Sequence, residues 1–213
     1  MTVIIINPNS TASMTDAIVK MAKRSVPSLE FQGWTSRQGP PSIQGADDGD
    51  AATPPFLELV KEASDAKAEG IIIGCFDDTA LTEAAALADC PVIGLGQSAY
   101  HYAALQTWRF SVVTTLSVSV PILEANIHRM GLGAFVSKVR ASDVPVLDLE
   151  IDPERSGALV VKEALQAQAN DDVSAVILGC AGMVGVVESV ERALDIRTID
   201  PVACAARCMA WLV

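Results

Sequence analysis

Two cysteines of this chain occupy the same setting. The run Gly70-Ile-Ile-Ile-Gly74-Cys75 is echoed in the second half by Ala175-Val-Ile-Leu-Gly179-Cys180. A thiolate can remove a proton and a thiol can deliver one, so two cysteines on opposite faces of a carbon acid suffice to invert a stereocentre. Each apolar run reads as a buried strand that ends in Gly-Cys and passes at once into a helix. That places each cysteine at the carboxyl end of a parallel strand, where sites form, and predicts that helix dipoles lower the thiol pKa from about 8.5 toward neutrality. The competing reading is that cysteine packs in cores as a small hydrophobe. It suits Cys90, before a proline in an apolar stretch, and Cys204 and Cys208 on an apolar terminal helix. The matched placement singles out Cys75 and Cys180 as the catalytic candidates.

Other strand ends carry polar side chains. Asn7, Asn9 and Ser10 follow the first β-branched run, and Thr114 and Thr115 end the strand that opens the second half. Their amides and hydroxyls could hold a polar ligand, although turn and capping chemistry explains the first three, and β-branched packing the threonines, almost as well. Asp77 and Asp78 can accept hydrogen bonds from a ligand, with one of them capping the helix that follows. With two histidines and no Cys-x-x-Cys pair, no cluster offers a metal site. No Gly-x-Gly-x-x-Gly or phosphate loop supports a nucleotide, so neither metal nor cofactor is expected.

The elements needed to position these residues alternate. Strands are expected at 3–6, 29–34, 70–74, 91–95, 110–114, 135–139, 175–178 and 197–199. Helices are expected at 14–22, from Pro54 or Pro55 to Glu69, then 79–88, 98–107, 120–130, 153–169, 184–194 and 201–211. A Gly/Pro-rich loop fills 37–50, and Ser13 with Asp16 resembles a capping box. The fold class is α/β: two similar Rossmann-like halves, each a parallel sheet flanked by helices. The first half is read as 1–96, carrying Cys75, and the second as 97–194, carrying Cys180. The remainder, 195–213, packs back on the first half, and the active site lies in the cleft between them.

At 213 residues and 50% hydrophobic the chain can bury a sizeable core, and no run of eighteen uncharged apolar residues suggests a membrane span. The formal net charge of −11 argues against nucleic acid and anionic membranes and favours a small-molecule ligand. The N-terminus lacks a basic n-region, and five cysteines without an export signal read as free thiols, so a cytoplasmic location is expected.

Taken together, Ile6-Asn-Pro-Asn-Ser-Thr11, Ser42-Ile-Gln-Gly45, Gly74-Cys-Phe-Asp-Asp78, Val113-Thr-Thr115 and Leu178-Gly-Cys-Ala-Gly-Met183 resemble the Asp/Glu/hydantoin racemase superfamily, in its hydantoin and allantoin racemase branch. The resemblance covers nearly the whole chain. It implies a cofactor-independent racemase whose two cysteines are Cys75 and Cys180. The pocket would be lined by Asn7, Asn9, Ser10, Phe76, Asp77, Thr114, Thr115, Ala181 and Gly182, in a homo-oligomer. The chain departs from the branch in three places: Asp77 stands where glycine is frequent, Thr79 where proline is, and Gln44 where glutamate is. Rival readings are a decarboxylase, a dicarboxylate isomerase or an amino-acid racemase of the same superfamily, and, from another class, a two-lobed metabolite-binding protein. Phe76-Asp77 and Ala181-Gly182 after the cysteines make an acidic and apolar setting. A neutral cyclic ureide suits it better than the carboxylate of free aspartate or glutamate.

Overall fold

The computed structural model describes residues 2–213. Among the described residues eight strands and nine α-helices follow one another in largely alternating order, with two short 3₁₀ turns, Ser117–Ser119 and Ala181–Gly185. The first sheet contains β1 (Thr2–Asn7), β2 (Glu30–Thr35), β3 (Gly70–Ile73) and β4 (Val92–Gly94), in the order β2-β1-β3-β4. The second contains β5 (Phe110–Thr114), β6 (Val136–Ala141), β7 (Ala175–Leu178) and β8 (Arg197–Ile199), in the order β6-β5-β7-β8. Every pairing is parallel. The two orders are the same order, so β1 corresponds to β5 and β3 to β7. β3, β5 and β7 are buried along their length because helices cover both faces of each sheet.

The helices are α1 (Ala12–Ser25), α2 (Ala46–Asp65), α3 (Leu81–Leu87), α4 (Leu95–Leu105), α5 (Val120–Arg129), α6 (Asp148–Ile151), α7 (Pro153–Asn170), α8 (Val187–Ala193) and α9 (Pro201–Leu212). α9 packs on α1 and α4 and reaches β3. A single core cluster draws on both sheets, joining Ile5, Phe31 and Ile72 to Phe110, Val112 and Ile177. At the seam the Tyr100 ring stacks on Phe110 at 5.8 Å and meets Phe76 edge-on at 5.5 Å.

Three local expectations are corrected. α2 starts at Ala46, inside the stretch expected to be a loop, and Pro54 and Pro55 lie within it. The carbonyls those prolines leave unpaired belong to Asp50 and Ala51, which are exposed and can be met by water. Ser13 forms no capping box: α1 starts at Ala12, and the Ser13 hydroxyl donates to Glu150 of α6 at 2.7 Å. Finally, neither cysteine leads directly into an α-helix. Cys75 enters a turn that ends in left-handed Ala80 before α3, and Cys180 enters the 3₁₀ turn.

Candidate active site

The glycine of each Gly-Cys pair has a steric cause. β3 and β7 end against the last residues of β1 and β5, and a Cβ on Gly74 would stand 3.3 Å from Asn7 Cα, one on Gly179 3.0 Å from Thr114 Cα. The Gly74 and Gly179 N–H groups donate to Ile6 O and Val113 O, both at 2.8 Å. The repeated apolar run followed by Gly-Cys thus creates two equivalent corners, one at the carboxyl end of each sheet. The two corners share one cavity of about 40 Å³, lined by Cys75 and Cys180.

Of the residues expected at the site, Asn9, Phe76, Asp77, Thr114, Thr115, Ala181 and Gly182 line this cavity, while Asn7 and Ser10 do not. Asn7 is fully buried and its amide is consumed within the protein. Its Nδ2 donates to Asn9 Oδ1 at 2.9 Å and Thr15 Oγ1 at 3.0 Å, and its Oδ1 accepts from Asn9 N at 3.1 Å. Asn7 therefore shapes the loop that presents Asn9 and does not itself line the cavity. Ser10 is anchored away from the cavity by its N–H donating to Pro40 O at 2.9 Å. Asn9 Nδ2 has only the Met14 sulfur at 3.7 Å, which leaves it able to donate into the cavity.

Sequence reasoning missed Met14, Ile43, Ser119, Leu123 and Val146, which complete the lining. Apart from Ile43, which lies inside Ser42-Ile-Gln-Gly45, they come from helices and loops with no motif of their own. Gln44 was a usable clue: its Oε1 accepts from Val146 N at 2.9 Å, tying the first half's loop to the second half across the site.

Asp78 does not face the cavity. Its carboxylate accepts from Gly96 N at 2.9 Å and Gln97 N at 2.7 Å, capping α4 rather than the helix next to it in sequence. Gly94 is required there, since a Cβ on it would lie 1.9 Å from Asp78 Oδ1. Asp77 is fixed differently. Its carbonyl accepts from Asn126 Nδ2 at 2.7 Å, and its carboxylate accepts from the Thr79 hydroxyl at 2.8 Å.

The expected lowering of the thiol pKa values is overturned. Burial pushes Cys75 well above the ordinary thiol value, and the adjacent Asp77 carboxylate raises it further. Burial pushes Cys180 up to about 11, opposed by the nearby backbone N–H groups of Gly182 and Met183. The reason is geometric: without an α-helix starting at either cysteine there is no full helix dipole to offset desolvation. Between substrate-free corners both sulfurs are therefore predominantly thiols at neutral pH. Among the lining residues Asp77 supplies the carboxylate and none is basic.

Comparison with known proteins agrees with the arrangement. A family model described as Asp/Glu/Hydantoin racemase matches residues 3–209. Among curated proteins, the hydantoin racemase of Rhizobium meliloti is 38% identical over 206 residues, covering 95% of this chain and 85% of the relative. The hydantoin racemase of Pseudomonas sp. (strain NS671) is 32% identical, covering 95% of this chain and 82% of that protein. Among solved structures, the allantoin racemase from Klebsiella pneumoniae superposes with a TM-score of 0.94 at 32% identity, covering 100% of this chain and 87% of that one. No helix among the described residues is long and apolar enough to cross a membrane. With the fold, the paired corners and these relatives in agreement, the chain belongs to the Asp/Glu/hydantoin racemase family, in its hydantoin and allantoin racemase branch.

Proposed function

We propose that this protein racemises a 5-substituted hydantoin or allantoin, with Cys75 and Cys180 as the two proton carriers. The observation that carries the reading is that both Gly-Cys corners open on the same cavity, whose lining has no basic residue and a single carboxylate, Asp77. A free amino acid would bring a carboxylate into this setting without a cationic partner, at a cost in repulsion and desolvation. A cyclic ureide brings neutral N–H donors for Asp77 and carbonyls for Asn9 Nδ2 and the peptide N–H groups after the cysteines.

In the reaction one sulfur, as thiolate, takes the C5 proton while the other, as thiol, delivers its proton to the opposite face. The C4 carbonyl holds the intervening charge as an enolate, and backbone N–H groups beside the sulfurs stabilise it. Charge thus passes from one sulfur to the other in each turnover.

The test follows optical rotation of single enantiomers of allantoin and a 5-substituted hydantoin, with aspartate and glutamate for comparison and an enzyme-free blank. The expected result is loss of rotation for the ureides and negligible turnover of the free amino acids; the reverse preference overturns the substrate reading. Cys75→Ala and Cys180→Ala should each abolish racemisation, and near wild-type racemisation in either variant overturns the two-thiol reading.

A further inference from the structure

The two corners share a backbone plan as far as the cysteine and are then held by different means. Three residues beyond Cys180 stands Met183, fully buried in an apolar cluster with Leu149, Val187 and Val190 of its own half. Three residues beyond Cys75 stands Asp78, buried and at φ +55°, with Ala80 at φ +51° close behind. Two non-glycine residues in the left-handed region strain the turn 75–80, and such a backbone persists only where its surroundings over-determine it. From Cys180 to the end of its 3₁₀ turn no residue has a positive φ.

The restraints on the first turn come from α4, which carries the chain from the first sheet to the second, and from α5 beyond it. Asp78 Oδ1 accepts from Gly96 N at 2.9 Å and Oδ2 from Gln97 N at 2.7 Å, so both carboxylate oxygens are taken by the first turn of α4. The approach is close: a Cβ on Gly96 would lie 2.4 Å from Phe76 O. Asn126 of α5, itself buried, donates from Nδ2 to Asp77 O at 2.7 Å. Its amide is oriented for this by Arg129, which donates to Oδ1 at 2.6 Å.

We propose that Asp78 and Asn126 are positioning residues that hold the strained turn, and through it the Cys75 sulfur, against the substrate, while Cys180 is placed independently of them. The inference deepens the two-cysteine reading and rests on it. Loosening the turn should remove one half of the reaction only. With Cys75 out of place, the Cys180 thiolate still takes the C5 proton of the enantiomer that faces it, leaving the enolate and a Cys180 thiol. That thiol swaps its proton for solvent deuterium and returns the deuteron to the same face, so C5 gains deuterium with its configuration kept and the sulfur is again a thiolate. The opposite enantiomer, whose proton faces Cys75, neither exchanges nor inverts. A loss of stability alone would slow both enantiomers alike.

The experiment follows C5 deuterium incorporation and optical rotation in deuterium oxide for each enantiomer of a 5-substituted hydantoin, net of an enzyme-free blank. Wild type is compared with Asp78→Asn, which sets an amide N–H against a peptide N–H, and with Asn126→Ala as the milder variant; Cys75→Ala and Cys180→Ala serve as references. Racemisation should fall by up to about a hundredfold in both turn variants. Exchange without inversion should survive for the same enantiomer as in Cys75→Ala, and for the opposite one to that in Cys180→Ala. Independently of turnover, iodoacetamide labelling at fixed pH should be faster at Cys75 in Asn126→Ala than in wild type and unchanged at Cys180, since that substitution removes no charge. Wild-type racemisation in the folded variants, equal loss of exchange for both enantiomers, or unchanged Cys75 labelling would overturn the inference while leaving the two-cysteine reading intact. A wild type that neither exchanges nor racemises the hydantoin overturns that reading and this inference with it.

Discussion

Gly179→Ala tests the steric account of the corners. The added Cβ would stand 2.7 Å from Val112 Cγ1 and 3.0 Å from both Thr114 Cα and Cβ. Carbon atoms in good contact sit roughly 3.5–4.0 Å apart, so something must move by about half an ångström or more. The Val112 methyl can give a little, but Thr114 is pinned. Its carbonyl accepts from Ser142 N at 2.9 Å and its hydroxyl donates to Gly179 O at 2.9 Å. The strain therefore falls on Gly179 and displaces Cys180. Overpacking of this kind costs about 1–3 kcal/mol, with a melting shift of roughly 2–4 °C per kcal/mol in a chain of this size. A displaced sulfur can also cost up to about a hundredfold in rate. Gly74→Ala should be milder, because its nearest contacts are Ile6 O at 3.2 Å and Asn7 Cα at 3.3 Å. Gly185→Ala, with nothing within 4 Å of the new Cβ, is the neutral control. Thermal unfolding and initial racemisation rates of the three variants give the ranking. A Gly179→Ala protein that melts and turns over like wild type, or one less affected than Gly74→Ala, would refute the reasoning.

Other perturbations follow from the same geometry. Asn7→Ala should cost about 1–3 kcal/mol in urea unfolding and lower turnover, because it strips the buried partners that hold Asn9. Ala80→Gly should stabilise by about 0.5–1 kcal/mol, since Ala80 sits at φ +51°, where a β-carbon is strained. Asp171→Ala should cost about 1–3 kcal/mol by removing the two bonds that the Arg140 guanidinium makes to the Asp171 oxygens, at 2.5 and 2.6 Å, and leaving Arg140 with Glu163 Oε1 at 2.8 Å. Burial alone would raise Asp171, but Arg140 and the Ser111 hydroxyl hold it below the usual carboxylate range. That stability is therefore present above the unfolded value of about 3.9 and is lost as pH falls through the lower folded value, which acid unfolding of wild type against Asp171→Asn would measure.

Much of this molecule is legible in its sequence where a pattern repeats. The strands at 110–114, 175–178 and 197–199 were read at their observed bounds because apolar β-branched runs with turn residues around them leave little choice. α2 was misread because Gly49, Pro54 and Pro55 look like loop chemistry, yet its early turns are solvent-facing and the missing backbone bonds can be made to water. Asn7 shows why position alone does not give a side chain's partners. A motif reveals that an amide belongs at a strand end, but only the fold shows that Thr15 and Asn9 occupy it. Met14, Leu123 and Val146, apolar members of the lining outside any motif, carry no local signal, since each is also an ordinary core residue until the opposite half supplies the other wall.

The sequence echo that marks the two cysteines also conceals how they differ. Matching apolar runs and glycines generate matching backbones: the same strand order, the same glycine contact with the central strand and the same N–H bond at 2.8 Å. Chemistry diverges at the next two residues. Phe76-Asp77 brings a carboxylate into the cavity lining after the first cysteine while Phe76 meets the Tyr100 ring edge-on, and Ala181-Gly182 follows the second with two small, uncharged residues. The proposed exchange of a proton between two faces needs equivalent positions, which the repeat supplies. Asp77, the single carboxylate of the lining, follows the first of the two cysteines and no charged lining residue follows the second, so equivalent backbones carry unequal electrostatics.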